Sequence, residues 1–578
     1  MTKLLLTSFF LITYTIGFSQ TPLVLDWAHL SLGGGYTQVS GIAVDAVNNI
    51  YQCGALKNEG QMDFTKPVIE SSETFSYISK ITSAGEFVWG KAFIGSNFGQ
   101  INFKKIKISA SGDILCVGDF HGTVDFDPSE NNYELISTNG TSTFVLKLSK
   151  NGDFIWCKVF QSLNSSVYGN STAFSFDIDL QDKIYVSGKF SGKVDLNPGP
   201  DSMIYTTYYA LQTYGFLVKL DMNGDFVWAN VLENGINNES ELFALAVDNN
   251  NDVIVSGYFY NTISITSIYL DTTFSPVLWP TNNQLILKYD QNGQCKCKWV
   301  KHIIGVNCYM NEVLCNSTND IFILGNFTNG ISFSPSTIDD FFKTYPGSYL
   351  NTSDGFIAKY NESGHFQWAN NFGGIGSDGN PVATFDDAEN ILVGAFVNGV
   401  LADSIYYDSI FLGDSFSDRL IFEVNTNGEL VRSVKMDGGN LRFNDIEIDK
   451  NHNLIMAGFC NNQEEYPVDF DPNPNLSYFI PKYGSGAYVL KFGYSLKPHT
   501  SSKGLIFPNP SAKELTIHVG TTTDSAKAQF FDFSGRMVKE INLTQENTIV
   551  DVSSLAAGMH VVRLFLNNET IQEKFLKY

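Results

Sequence analysis

Side chains able to do chemistry are few in this chain, and their spacing decides little in favour of a reaction. Three stretches set acids or an amide two residues apart before a proline: Val124-Asp-Phe-Asp-Pro128, Val194-Asp-Leu-Asn-Pro198 and Val468-Asp-Phe-Asp-Pro472. Residues i and i+2 of a strand share a face. Asp125 with Asp127, or Asp469 with Asp471, could therefore offer carboxylate oxygens to calcium. The long calcium loop with its distal Glu is missing, and a strand running into an Asx-Pro turn explains the same letters. The matching stretches Ile331-Ser-Phe-Ser-Pro335 and Met62-Asp-Phe64 lose one or both acids. A shared metal site is thus not expected, and neither metal nor cofactor residues are assigned.

The histidines at 29, 121, 302, 365, 452, 499, 518 and 560 stand singly. No H-E-x-x-H, G-x-S-x-G or S-x-x-K occurs, so no hydrolase is indicated by motif. Gly374-Ile-Gly-Ser-Asp-Gly379 spells G-x-G-x-x-G, but that fingerprint must open a helix, whereas Asn380-Pro-Val-Ala-Thr-Phe385 leads into a strand. Of the cysteines at 53, 116, 157, 295, 297, 308, 315 and 460, four crowd between 295 and 315. Their spacing lacks the paired C-x2-C hooks of zinc sites. A local disulfide is open to them in an exported protein, and the scattered cysteines read as small buried apolar residues.

Lys and Arg number 37 against 60 Asp and Glu, a net charge of -23 that would repel phosphate backbones and excludes nucleic acid as a partner. Met1-Thr-Lys3 followed by the apolar run Leu4 to Ile16 and by Gly17-Phe18-Ser19 reads as a signal peptide over 1–19, cleaved after Ser19. No later stretch is apolar for the roughly 18 residues of a spanning helix, so an exported, soluble chain is expected.

Any site must be positioned by a repeat. Ser79-Lys-Ile-Thr-Ser-Ala-Gly-Glu-Phe-Val-Trp89 recurs as Leu146 to Trp156, Val218 to Trp228 and Ala358 to Trp368, with looser copies at Leu287 to Gly293 and Phe422 to Arg432. Alternation, a polar turn closing on Gly, then alternation again is a β-hairpin. Gly supplies the positive φ of the turn, and the Asn before it tolerates one. A second hairpin alternates with the first, and its closing glycines are 54, 118, 188, 257, 325, 394 and 458, a period of about 67 residues. Two hairpins per copy make four strands, the content of a propeller blade, and there are seven copies.

The ends of the array complement each other. Leu23-Val-Leu-Asp-Trp-Ala-His-Leu30 reads as the second half of the Trp hairpin, and Ala487-Tyr-Val-Leu-Lys-Phe492 as its first half. The expectation is an all-β, seven-bladed propeller over 20–492, its last blade built from both ends so that no sheet edge is left open. One Trp per blade at one place is read as packing between blades. Arg432 stands in the Trp place of one copy, and Trp299 is displaced by two residues in another.

Residues 493–504 read as a linker, and 505–578 as a small β-sandwich of short alternating strands. In this tail Pro508-Asn509-Pro510 opens the domain, Asp532-Phe-Ser-Gly535-Arg536 forms a hairpin turn, and Leu555-Ala-Ala-Gly558 precedes the penultimate strand. In that order the motifs resemble the type A C-terminal sorting domain of the type IX secretion system. His560 replaces the Tyr or Phe usual two places after the last Gly. The resemblance implies an address recognised by the type IX machinery at the outer membrane, then cleaved, which delivers the chain through the periplasm to the surface or beyond. The repeats resemble bacterial repeat propellers of the SBBP type, which implies a fold and no substrate. The S-x-D-x-G-x-x-W box of sialidases is excluded, because Ser83, Lys150, Met222 or Glu362 precedes the turn residue and the Trp comes one place late.

Two functions follow as expectations. The first is a non-enzymatic exported scaffold that binds an extracellular protein or glycan. The alternative is a secreted carbohydrate-active or peptide-cleaving enzyme with its site at the channel mouth, assembled from loops of different blades.

Overall fold

The computed structural model describes residues 23–33, 37–56, 75–163, 169–233, 239–260, 263–266, 271–274, 283–292, 297–333, 341–343, 352–374, 376–397, 403–407, 410–415, 418–436, 441–462, 484–494, 505–507, 513–518, 526–531, 536–543, 547–556, 558–566 and 569–577. Among them there is no helix. The N-terminal apolar run, Asp469 and Asp471 lie outside the described residues.

Turn chemistry fixes each hairpin. In the first hairpin of a unit an acid or amide folds back on the chain: Asp45 Oδ1 accepts from the backbone N–H of Val47 and Asn49, both at 2.9 Å. Asp179, Asp248, Asn316, Asp386 and Asp449 do the same. These loops place one residue in the left-handed region, mostly a polar non-glycine: Asn48 (φ 66°), Asp182 (58°), Asn251 (59°), Asn319 (61°), Glu389 (61°) and His452 (62°). In the second hairpin the same role falls to Gly85, Gly152, Gly224, Gly364 and Gly428, with φ of 74–85°. There glycine alone takes the positive φ, and Asn151 and Asn223 ahead of it do not.

The strands pair antiparallel in four-stranded units. The first runs Gln38–Val44, Ile50–Leu56, Phe75–Ile81, Phe87–Phe93 in spatial as in chain order. Later units begin at Gly95–Ile108, Ser171–Ile178, Ser240–Val247, Gly379–Phe385 and Leu441–Ile448. Cys297–Cys315 serves two units, its first half closing one and its second half opening the next. In the final sheet Leu441–Ile448, Leu454–Asn462 and Gly484–Tyr494 come from the end of the array and Leu23–Gly33 from its start, with Trp27 opposite Lys491. The last of these strands runs to Tyr494, two residues into the stretch read as linker.

Units meet through their first strands. Each opening strand touches the next, and Leu441–Ile448 touches Gln38–Val44. Farther out, the repeated Trp packs on the turn of the following unit. A Cβ on Gly152 would lie 3.1 Å from Trp89, on Gly224 3.1 Å from Trp156, on Gly428 2.9 Å from Trp368 and on Gly85 2.8 Å from Trp27. Trp27 Nε1 donates to Ser83 O and Trp368 Nε1 to Thr426 O, each at 3.1 Å. Packing between units is therefore the role of this residue. Trp299 stands opposite Lys288 as Trp89 stands opposite Lys80, so the longer turn before it absorbs the displacement and leaves the ladder register intact.

The left-handed turn residues form a further bond between units. Asn48 Oδ1 accepts from Lys450 N, Asp182 Oδ1 from Ala110 N, Asn319 Oδ1 from Asn249 N and Glu389 Oε1 from Ser317 N, all at 2.9–3.0 Å.

Residues 505–577 make two sheets of their own. Leu505–Phe507, Glu514–His518 and Asn547–Asp551 form one; Lys527–Phe531, Met537–Asn542, Gly558–Leu566 and Glu569–Lys577 form the other. Leu515, Ile517, Phe530, Val550, Val562 and Leu564 from both sheets share one core.

Candidate functional site

Every opening strand carries an extra residue shortly before its last paired positions. Pairing with the second strand slips between Val39 and Gly41, Phe103 and Lys105, Ala173 and Ser175, Leu242 and Ala244, Met310 and Glu312, Gly379 and Val382, and Phe443 and Asp445. The residues left out of the ladder are Ser40, Lys104, Phe174, Phe243, Asn311, Asn380 with Pro381, and Asn444. A bulge re-aims the side chain it frees, so the repeat turns out serine, lysine, phenylalanine and asparagine side chains at equivalent places.

The 67-residue glycine period has its cause here. Gly54, Gly118, Gly188, Gly257, Gly325 and Gly458 face the bulges, and a Cβ on them would lie 2.1, 2.3, 2.2, 2.2, 2.0 and 1.7 Å from a backbone carbonyl oxygen of the bulged strand. Only a residue without a side chain permits that approach. Gly394 faces the wider slip at 380–381, and its nearest neighbour is Met456 Cε at 3.0 Å. Gly325→Ala is expected to lower stability by about 1–3 kcal/mol in urea unfolding, the usual cost of forcing atoms into a packed place; an unchanged midpoint would contradict the tight approach.

Phe243, Asn311 and Asn380 join Tyr309 and Asn326 around a cleft of about 480 Å³. It lies where the opening strands begin, at the opposite end from the hairpin turns at Asp248, Asn316 and Asp386. Phe243 stacks on Tyr258 at 5.5 Å, lies against Phe174 at 5.3 Å and meets Tyr309 edge-on at 6.3 Å. Tyr258 Oη donates to Glu241 Oε1 at 3.1 Å, and Lys189 Nζ holds the same oxygen at 2.8 Å. Burial, then the Glu241 charge, pushes the Tyr258 phenol well above its ordinary range, so it remains a donor. Asn311 Nδ2 donates to Asn380 Oδ1 at 3.4 Å.

Beyond the bulge the opening strands set charged side chains against each other. Lys105 Nζ lies 3.8 Å from Glu312 Oε2 and 3.7 Å from Asp445 Oδ1, and Lys107 Nζ 2.8 Å from Asp177 Oδ1. Backbone N–H groups of Ile42 and Val247 reach Asp445 and Asp177, both at 2.9 Å. The charges of Asp445 and Glu312 hold Lys105 protonated above its usual range. Burial and the neighbouring Asp445 push Glu447 up to about 7, and burial raises Glu312. Most of these carboxylates are engaged by lysines and backbone amides, so the cluster ties together strands far apart in sequence.

The two acidic stretches within the described residues are turns. Asp125 Oδ1 accepts from Asp127 N at 3.0 Å and Tyr133 N at 2.9 Å, and Asp195 Oδ1 from Asn197 N at 3.1 Å and Met203 N at 2.8 Å. Val124, Phe126, Val194 and Leu196 between them are core. Gly379 opens a strand, so the G-x-G-x-x-G run is no nucleotide loop. Cys53, Cys116, Cys157 and Cys460 are buried thiols as expected, and Cys308 and Cys315 of the crowded group are free thiols as well.

Of the tail motif, Pro508, Asn509, Pro510, Asp532 and Gly535 lie outside the described residues. Arg536 is exposed just before Met537–Asn542, Leu555 packs on the tail core, and Gly558 opens its strand opposite Lys577. His560 is buried, its Nε2 donating to Ala556 O at 2.8 Å, so the departure from Tyr or Phe is absorbed within the motif's own turn.

Residues 505–578 match the family described as the secretion system C-terminal sorting domain. The tail is a type IX sorting domain. The chain is therefore a secreted or cell-surface protein that engages the type IX machinery. Among the described residues no helix is long and apolar enough to cross a membrane. The chain is 25% identical over 252 residues to a WD repeat-containing protein of Acanthamoeba polyphaga mimivirus, a match spanning 40% of this chain and 17% of the relative. Among solved structures, PorZ, a surface component of the type IX system of Porphyromonas gingivalis, aligns over 95% of this chain and all of its own at 10% identity and a TM-score of 0.15. The extracellular domain of a hybrid two-component system of B. thetaiotaomicron aligns over 95% and 100% at 9% and 0.20. A glycoside hydrolase family 32 enzyme of Bifidobacterium adolescentis aligns over 96% and 94% at 9% and 0.24. At such scores the superposed backbones diverge, and nothing about activity follows.

Proposed function

We propose that residues 20–494 form a closed ring of seven blades, exported behind a signal peptide over 1–19, and that this ring is a non-enzymatic scaffold binding an extracellular ligand at its bulge face. Supporting closure, Leu23–Gly33 completes the last sheet, Trp27 packs on the first unit's turn, and Lys450 bonds Asn48 across the join. An open array would leave its first and last opening strands apart. In this reading 495–504 links the ring to a cleavable β-sandwich tail.

The observation that carries the binding role is the bulge itself. Trp, Lys and turn positions repeat from unit to unit because packing demands it, while the freed positions carry serine, lysine, phenylalanine and asparagine, polar and aromatic groups of the kind that contact a ligand. The cleft lies at this face, and its lining is one Phe, one Tyr and three Asn, with no carboxylate, imidazole or thiol among them.

Purified mature chain is expected to turn over none of a panel of chromogenic glycosides and peptides, and to bind intact cells saturably. Asn311→Asp with Asn380→Asp, which adds two charges at the mouth, is expected to weaken that binding about tenfold, about 1.4 kcal/mol. Turnover abolished by either substitution would replace the scaffold with an enzyme.

A further inference from the structure

We propose that the cleft between Phe243, Tyr309, Asn311, Asn326 and Asn380 holds an uncharged sugar ring of an extracellular glycan, seated on Tyr309 and hydrogen-bonded by the three carboxamides. This rests on the bulge face being a binding face, and it names the ligand class.

The lining decides between ligand types. The chain carries a net charge of -23, yet all five lining residues are neutral, so a charged ligand would enter without a counter-charge. Each carboxamide offers two N–H donors and a carbonyl acceptor. Vicinal sugar hydroxyls, which both donate and accept, match that pair of functions. The Asn326 amide makes no hydrogen bond to another described residue, and Asn311 spends one donor on Asn380. Tyr309 is 42% exposed in a protein whose other aromatic side chains at this face are packed together. An exposed aromatic ring offers an apolar surface that suits the C–H face of a pyranose. The volume of about 480 Å³ falls within the roughly 300–1,000 Å³ of small-ligand sites.

The cleft is also preorganised. Phe174 and Tyr258 hold Phe243 from two sides, and Lys189 with Glu241 holds Tyr258. Asn380 sits in a left-handed backbone (φ 49°) beside the Gly379 that packs on Asn326. Phe243 thus has little side-chain freedom left to lose on binding.

The test is calorimetric titration of the full mature chain with neutral hexose and N-acetylhexosamine oligosaccharides, and with uronic-acid oligosaccharides of equal length. Neutral oligomers are expected to bind, acidic ones at least about tenfold more weakly. Tyr309→Ala and Asn326→Ala should each raise Kd about tenfold or more with the thermal midpoint unchanged, whereas Tyr209→Ala, exposed outside the cleft, should leave Kd alone. Absence of neutral glycan binding, or binding that ignores both cleft substitutions, overturns the proposal. If a purified surface protein instead binds in a manner that needs Tyr309 and Asn326, the ligand class is wrong and the binding face stands. If no ligand depends on these residues, the binding face falls too.

Discussion

A chain shortened by residues 505–578 is expected to fold its repeats and to stop in the periplasm. The structural ground is separation. Among the described residues, tail strands pair only with tail strands, and the tail core draws on no residue before 515. The repeat cores in turn draw on none beyond Phe492. Deletion therefore uncovers no apolar face of the repeats, and their thermal midpoint should shift little. The secretion machinery loses what it reads, so the amount reaching the surface or medium should fall at least about tenfold while a protease-resistant periplasmic pool accumulates. Fractionation followed by limited proteolysis measures both. Undiminished export would remove the tail's role as the address; export lost together with protease resistance would show that the tail is needed for folding.

The same separation explains what could be read in advance. Hairpins are local: alternation and a turn residue lie within a dozen positions, so Asp45 or Gly224 announces its role without help from the rest of the chain. The repeated Trp was legible because one packing problem recurs, and packing tolerates the drift of its displaced copy. Trp299 regains its place opposite Lys288 across a turn two residues longer than that before Trp228. The bulges were not legible. One strand slipping against another leaves no mark except the glycine opposite, and Gly325 reads equally well as the end of a hairpin. The charged cluster was hidden for another reason: Lys105, Glu312 and Asp445 are brought together from units far apart, and nothing in Lys104-Lys-Ile-Lys107 names its partners.

Replacing Arg432 by Trp, which restores the residue common to the other units, is expected to destabilise the protein, and adding Glu423→Lys is expected to repair it. In the other units the residue opposite the Trp is a lysine reaching an acid of the first hairpin: Lys80 to Asp45 at 3.8 Å, Lys147 to Asp113 at 3.1 Å, Lys219 to Asp179 at 3.9 Å, Lys288 to Asp248 at 2.6 Å, Lys359 to Asp320 at 2.8 Å and Lys491 to Asp449 at 2.9 Å. One unit exchanges both members. Glu423 takes the lysine position, Arg432 the Trp position, and their side chains meet at 2.6 Å. Glu423 is 4% exposed, also accepts from Asn390 Nδ2 at 2.8 Å, and faces the like charge of Asp386. Burial already raises its carboxyl above the ordinary 4.5, and Arg432 is the chief influence holding it down. Arg432→Trp leaves a buried charge without its partner, a loss of about 3–5 kcal/mol. Its pH dependence has a definite sign. A carboxyl raised further in the folded state contributes stability that is present below its unfolded value and lost as pH rises through the folded one. The variant's deficit should therefore be larger at pH 8 than at pH 5. Glu423→Lys alone sets an ammonium against the Arg432 guanidinium and is also expected to destabilise. Together the two changes rebuild the lysine–acid pair with Asp386, so the double variant should lie well above the sum of the singles, with an interaction energy of about 1–3 kcal/mol. Urea unfolding of the four proteins at both pH values measures it; additive losses would mean that the exchange at these two positions was never one event.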